Sequence, residues 1–183
     1  MRTLVLISTV FLTALPASAQ MIVLGQGLSR ACFEAASFGM NVSKTEIDTC
    51  SKALSEQTIS SEKRLATYVN RGILYMRDGQ YDRAIKDYDT AIKMNDTLGS
   101  PHLNKGAALI YKEQYIEAMK SLNTAINLKS ADLHAAYFNR ALIYERKGNL
   151  TAAYYDLKKA IELKPDFQPA IDQIDRYIVE KTG

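Results

Sequence analysis

Histidine and cysteine are scarce in this chain of 183 residues, which has two of each. That leaves little room for a metal centre, since a closed site usually takes four such ligands. Charge of one sign is also short. The formal net charge is +3, and losing Arg2 with a leader makes it +2, so nothing indicates a polyanion partner such as nucleic acid. The motifs of covalent chemistry are missing too. No Gly-rich phosphate loop, Gly-x-Ser-x-Gly or His-Glu-x-x-His occurs. His102 and His134 stand at expected helix starts, with no paired nucleophile or ligand spacing. The chain reads as a non-enzyme with no catalytic residue, cofactor or metal.

A long hydrophobic run is absent as well. Leu4 to Leu15 spans 12 residues and is broken by Ser8, Thr9 and Thr13. A hydrocarbon core ~30 Å thick needs about 20 apolar residues. Arg2 ahead of this run, Pro16 after it and Ala17-Ser18-Ala19 as a small-x-small site fit a cleaved secretory signal over residues 1–19. Leu28-Ser29-Arg30-Ala31 before Cys32 is not a lipoprotein site, because Arg30 stands where a small residue is needed. No twin-arginine pair is present. The mature chain is expected to start near Gln20 as an exported protein, periplasmic or secreted in a bacterial envelope, with no membrane insertion after cleavage. Its 47% hydrophobic and 23% charged residues suit a soluble globular chain.

Residues 20–64 form the expected N-terminal cap. Gln20 to Gly27 is apolar but holds two glycines, so it reads as an extended lead-in. Leu28 to Phe38 is Ala-rich and helix-forming, with Gly39 as its stop. Ser43 or Thr45 can cap a second helix with the stripe Ile47, Cys50 and Leu54. Cys32 and Cys50 then fall on facing helices of a hairpin. In an oxidising compartment they should form a disulfide, contributing roughly 3 kcal/mol by chain entropy. The spacing is not Cys-x-x-Cys and no basic cluster is near, which argues against a redox-active pair. Ser60 or Ser61 is placed to cap the next helix.

What the chain has in plenty is repetition. Gly72, Gly106 and Ala141 lie 34 and 35 residues apart. Ala84, Ala118 and Ala153 keep those spacings, as do Ala91, Ala125 and Ala160. The first copy reads Tyr68-x2-Arg71-Gly72-x2-Tyr75, then Ala84-x3-Tyr88, then Ala91. The second reads His102-x2-Lys105-Gly106-x2-Leu109, then Ala118-x3-Leu122, then Ala125. The third reads Tyr137-x2-Arg140-Ala141-x2-Tyr144, then Ala153-x3-Leu157, Ala160 and Pro165. The pattern resembles the tetratricopeptide repeat, a helix–turn–helix unit of 34 residues. Arg71, Lys105 and Arg140 replace that family's usual Leu, and Glu113 replaces the turn glycine of the second copy.

The resemblance implies an all-α solenoid of helix–turn–helix repeats over residues 65–98, 99–132 and 133–166. A disulfide-bridged N-terminal helical cap precedes it, and its Ala53-Leu54 resembles Ala91-Ile92 of a full repeat. A C-terminal capping helix over residues 167–183 follows, with the stripe Ile171, Ile174 and Ile178. The small residues at 72, 84, 106 and 118 are expected where helices cross, and Tyr88, Leu122 and Leu157 in the seam to the next repeat.

In this family the first helices of successive hairpins line a concave groove that binds partners. Carried over by register, the groove holds Val69, Asn70, Ile73, Met76 and Arg77, then Leu103, Asn104, Ala107, Ile110 and Tyr111, then Phe138, Asn139, Leu142 and Arg146. The peptide-binding set is Asn70, Ile73, Arg77, Asn104, Ala107, Tyr111, Asn139, Leu142 and Arg146. An Asn recurs at one slot, and its amide can pair with a peptide backbone or bond across helices. Some relatives clamp a terminal carboxylate with Lys and Arg. Val69, Ile73 and Ala135 occupy those cation positions here and only Asn104 matches, which argues against that mode. Arg71, Lys105 and Arg140 are expected to pair with Asp87, Asp89 or Asp156. The expected function is to hold a protein or peptide partner in the groove. The alternative is a structural or self-associating subunit of an envelope assembly.

Overall fold

The computed structural model describes residues 27–38 and 42–177. The signal segment 1–19, the stop at Gly39 and the apolar Ile178 lie outside these residues. Among the described residues nine helices run in order: α1 Leu28–Phe38, α2 Lys44–Ser55, α3 Ser61–Arg77, α4 Tyr81–Met94, α5 Gly99–Tyr111, α6 Tyr115–Asn127, α7 Leu133–Arg146, α8 Leu150–Leu163 and α9 Gln168–Ile174. They pair as four hairpins, with α9 against α8.

Local chemistry sets the helix ends. The backbone N–H of Ser43 donates to the Glu46 carboxylate at 2.8 Å ahead of α2. Ser60 Oγ accepts from Lys63 N–H at 3.3 Å ahead of α3. Such caps satisfy amides that have no partner inside the helix. Inside each repeat the first helix ends in the same left-handed turn. Gln80 N–H donates to Tyr75 O, Gln114 N–H to Leu109 O and Asn149 N–H to Tyr144 O, at 2.8, 2.9 and 2.9 Å. The residue just before has positive φ in each case: Gly79 at 72°, Glu113 at 57° and Gly148 at 75°. Glycine carries that conformation without steric cost, and Glu113 does not.

Packing explains the small residues. A Cβ built on Gly72 would fall on the Tyr88 ring, and one on Gly106 would lie 2.7 Å from Leu122 Cγ. Tyr88 and Leu122 therefore fill the crossing of their own hairpins, closer to home than the inter-repeat seam expected for them. Ala84, Ala118, Ala153, Ala91, Ala125 and Ala160 are all fully buried. Tyr88, Leu122 and Leu157 are buried too, each contributing about 1.5–3 kcal/mol.

Cys32 and Cys50 are joined by a disulfide that ties α1 to α2, with Cα atoms 4.8 Å apart. Both are wholly buried in one apolar cluster with Val69, Ile73 and Tyr88. At the other end α9 is shorter than the sequence suggests, giving way to a turn at Asp175 and Arg176. Phe167 holds its start, edge-on to His134 and Phe138 of α7 at 4.7 and 5.5 Å between ring centroids. No helix among the described residues is long and apolar enough to cross a membrane.

Candidate functional site

The first helices lean on one another along the array. α1 touches α3, α3 touches α5 and α5 touches α7, whereas successive second helices make no comparable contact among the described residues. Curvature follows from that asymmetry. The first helices form the inner, concave face and the second helices the outer one.

The row of Asn70, Asn104 and Asn139 lies on those first helices and is nearly enclosed, with exposures of 4%, 1% and 3%. Neither Nδ2 nor Oδ1 of Asn104 has a hydrogen-bond partner among the described residues, so its amide does not bond across the helices. Ile73 and Ala107 are also buried, and Leu142 is half-buried.

The other three candidates sit at the ends of their helices and tie one hairpin to the one before. Arg77 Nη1 donates to the carbonyl of Ala35 on α1 at 3.4 Å. Burial lowers the pKa of the Arg77 guanidinium from its ordinary value. Tyr111 stacks on Tyr81 at 4.9 Å, with an interplanar angle of 11°. Arg146 Nε donates to Tyr115 Oη at 3.2 Å. The structure therefore separates the nine candidates into an inner set on the groove floor and a seam set of Arg77, Tyr111 and Arg146.

The basic row is engaged elsewhere, as the sequence predicts. Arg71 donates from Nε and Nη2 to the two Asp87 oxygens, each at 2.7 Å. Arg140 does the same to Asp156 at 2.7 and 2.8 Å. Lys105 Nζ donates to Asp89 at 2.6 Å. Burial pulls the Arg71 pKa down, but hydrogen bonding and charge at Asp87 outweigh it and leave it raised. At Arg140 the Asp156 bond leads, burial opposes it, and the result is again raised.

Two features of these nodes escape the sequence reading. Each guanidinium also donates from Nη1 to the preceding hairpin, Arg71 to Ser51 Oγ at 3.0 Å and Arg140 to Asn123 Oδ1 at 2.7 Å. Each lies between two Tyr rings, Tyr68 and Tyr75 at 5.6 Å, and Tyr137 and Tyr144 at 5.2 and 5.8 Å. The signal was present: Tyr-x2-Arg-x3-Tyr occurs in both copies, with Asp sixteen residues after the Arg.

No group of three or more His, Cys, Asp or Glu among the described residues could hold a metal ion. What the arrangement offers is an inner face of apolar side chains with amides in register, bordered by Arg77 and Arg146. It is the architecture of a helical-repeat scaffold. Tetratricopeptide repeat models match residues 66–98, 100–132 and 134–167, and the chain belongs to that family. It is similar to a TPR repeat-containing protein of Methanocaldococcus jannaschii, 30% identical over 100 residues, which are 55% of this chain and 18% of that protein. The chain thus spans less than a fifth of that relative. Among solved structures it is similar to the second TPR of Spaghetti (RPAP3) bound to the HSP90 peptide SRMEEVD. That match has 25% identity, a TM-score of 0.52, and covers 55% of this chain and 92% of the other. It is also similar to MamA, at 25% identity and a TM-score of 0.59, covering 70% and 72%.

Proposed function

We propose that this chain is an exported interaction module that holds an extended protein or peptide segment along the groove of its first helices. The observation that carries this reading is the Asn at one slot in three neighbouring first helices, set among the apolar side chains of Ile73, Ala107 and Leu142. Asn70, Asn104 and Asn139 would take successive backbone amides, with Ile73, Ala107 and Leu142 contacting side chains. Arg77, Tyr111 and Arg146 would border the groove. The Spaghetti domain, of related sequence and fold, is bound to a peptide. The wholly buried Cys32–Cys50 disulfide supports export into an oxidising compartment.

The occupant is a neutral stretch of chain rather than a charged tail. Arg71, Lys105 and Arg140 are held by Asp87, Asp89 and Asp156. Val69, Ile73 and Ala135, at the positions where a carboxylate clamp carries cations, are apolar and buried. Isothermal titration with SRMEEVD should therefore detect no binding tighter than about 1 mM; micromolar affinity would refute the uncharged-groove reading. For the amide row, the test is crosslinking of the full chain in its native cell with mass spectrometry of the adducts. Replacing Asn70, Asn104 and Asn139 by Ala should reduce capture per folded molecule, with the folded fraction checked by circular dichroism. Equal capture by the triple variant removes the row from the site.

A further inference from the structure

The three repeats are alike in plan, but their local conflicts gather in one of them. A buried polar atom without a partner bears its full desolvation cost. Of five such side-chain atoms among the described residues, four are in the middle repeat: His102 Nε2, Asn104 Nδ2, Asn104 Oδ1 and Ser130 Oγ. Backbone strain follows the same distribution. Among the described residues, the non-glycine residues with positive φ are Glu113 at 57° and Lys129 at 51°. Both are in the middle repeat, after α5 and after α6.

The ion nodes show the same bias. In the first and third repeats the cation is an Arg, gripped through two oxygens by an Asp of its own hairpin. In the middle repeat Ser121 stands at that Asp slot and the cation is Lys105. Lys105 reaches instead to Asp89 on α4, in the preceding hairpin. The node that binds first helix to second helix in the flanking repeats is thus redirected in the middle one.

The groove floor is nearly closed in all three repeats and most completely in this one. Leu103, Asn104 and Ala107 of α5 are 0%, 1% and 2% exposed. A ligand backbone reaches the Asn104 amide only if α5 shifts. We infer that the α5–α6 hairpin is the opening unit of the array: it loosens from its neighbours first, and a segment seated in the groove closes it by pairing with Asn104. The second half of this statement rests on the peptide-binding reading above; the first half does not.

A stacked array ordinarily behaves otherwise. Each terminal unit has a single neighbour and frays first, while an inner unit is held on both sides. Hydrogen exchange followed by mass spectrometry on the full, ligand-free chain separates the two behaviours. Amides of α5 and α6 should exchange about 5- to 30-fold faster than those of α3–α4 and α7–α8. Uniform protection, or faster exchange in α7–α8 than in α5–α6, overturns the inference. A second chain combines Glu113→Gly, Lys105→Arg and Ser121→Asp, which give the middle repeat the turn glycine and ion node of its neighbours, with Lys129→Gly, which relieves the second positive-φ side chain. Its α5–α6 exchange should slow toward theirs, and exchange no slower than in the unaltered chain counts against the inference. Neither measurement involves a partner. Failed crosslinking with fast α5–α6 exchange would refute the binding reading alone, and the reverse result would refute the opening alone.

Discussion

At the scale of single residues, burial decides how much each ion pair matters. The Asp156 side chain is 9% exposed and Asp89 is 41% exposed. Removing the partner of a buried carboxylate leaves a charge in a medium that solvates it poorly, at about 3–5 kcal/mol. Removing the partner of an exposed one costs at most about 1 kcal/mol, because water takes its place. Arg140→Leu should therefore lower stability to urea severalfold more than Lys105→Met. Equal losses would show that the two nodes do not differ in this way. The pairs themselves were legible in the sequence from Asp residues sixteen positions after Arg71 and Arg140. The third contacts to Ser51 and Asn123 were not, because they join residues whose spacing depends on how hairpins stack.

At the scale of helices, close crossing is the limiting geometry. A Cβ on Gly106 would lie 3.5 Å from the carbonyl oxygen of Ala118, so α5 and α6 nearly touch through their backbones. Ala118→Leu should overpack this crossing and cost about 1–3 kcal/mol, read as a lower urea midpoint. The starts of α5 and α7 also make stability depend on pH. Burial lowers the pKa of His102, and burial followed by the charge of Lys164 lowers that of His134. The folded state therefore disfavours protonation of both rings. Their contribution is fully present above the unfolded value of about 6.5 and is lost as pH falls from there through the lower folded values. The urea midpoint should drop between pH 7.5 and pH 5.5. His134→Gln should reduce that drop, and an unchanged drop would exclude His134 as a source. Helix existence was legible from the period of the small and apolar residues. The early end of α9 was not, since Ile171, Ile174 and Ile178 keep the helical period and nothing in the sequence marks the turn at Asp175 and Arg176.

At the scale of the whole molecule, the disulfide ties together the first described hairpin of the array. Among the described residues, the hairpin α1–α2 has the rest of the array on one side only, and Cys32 and Cys50 lie in the cluster that joins it to α3 and α4. Cys32→Ser with Cys50→Ser should cost roughly 3 kcal/mol by the chain-entropy estimate and lower Tm, while α3 to α8 stay helical by circular dichroism. A Tm unchanged by the double substitution would make the bridge dispensable. Alkylation of the unreduced, unfolded protein should add no mass, as both thiols are paired.

The sequence by itself determined the helical repeat, the crossing positions, the disulfide partners and the Arg–Asp pairs. Each of these depends on which side of a helix a residue occupies, and the helical period states that directly. Tertiary structure alone decided how deep those residues lie. Asn70, Asn104 and Asn139 share a slot in the sequence, but their near-complete burial depends on how closely successive first helices approach. That distance is set jointly by every hairpin in the stack, through crossings, turns and nodes that no single repeat encodes. It was also the three-dimensional accounting of partners that singled out the middle repeat, because an unsatisfied amide is defined by what surrounds it and not by its own residue type.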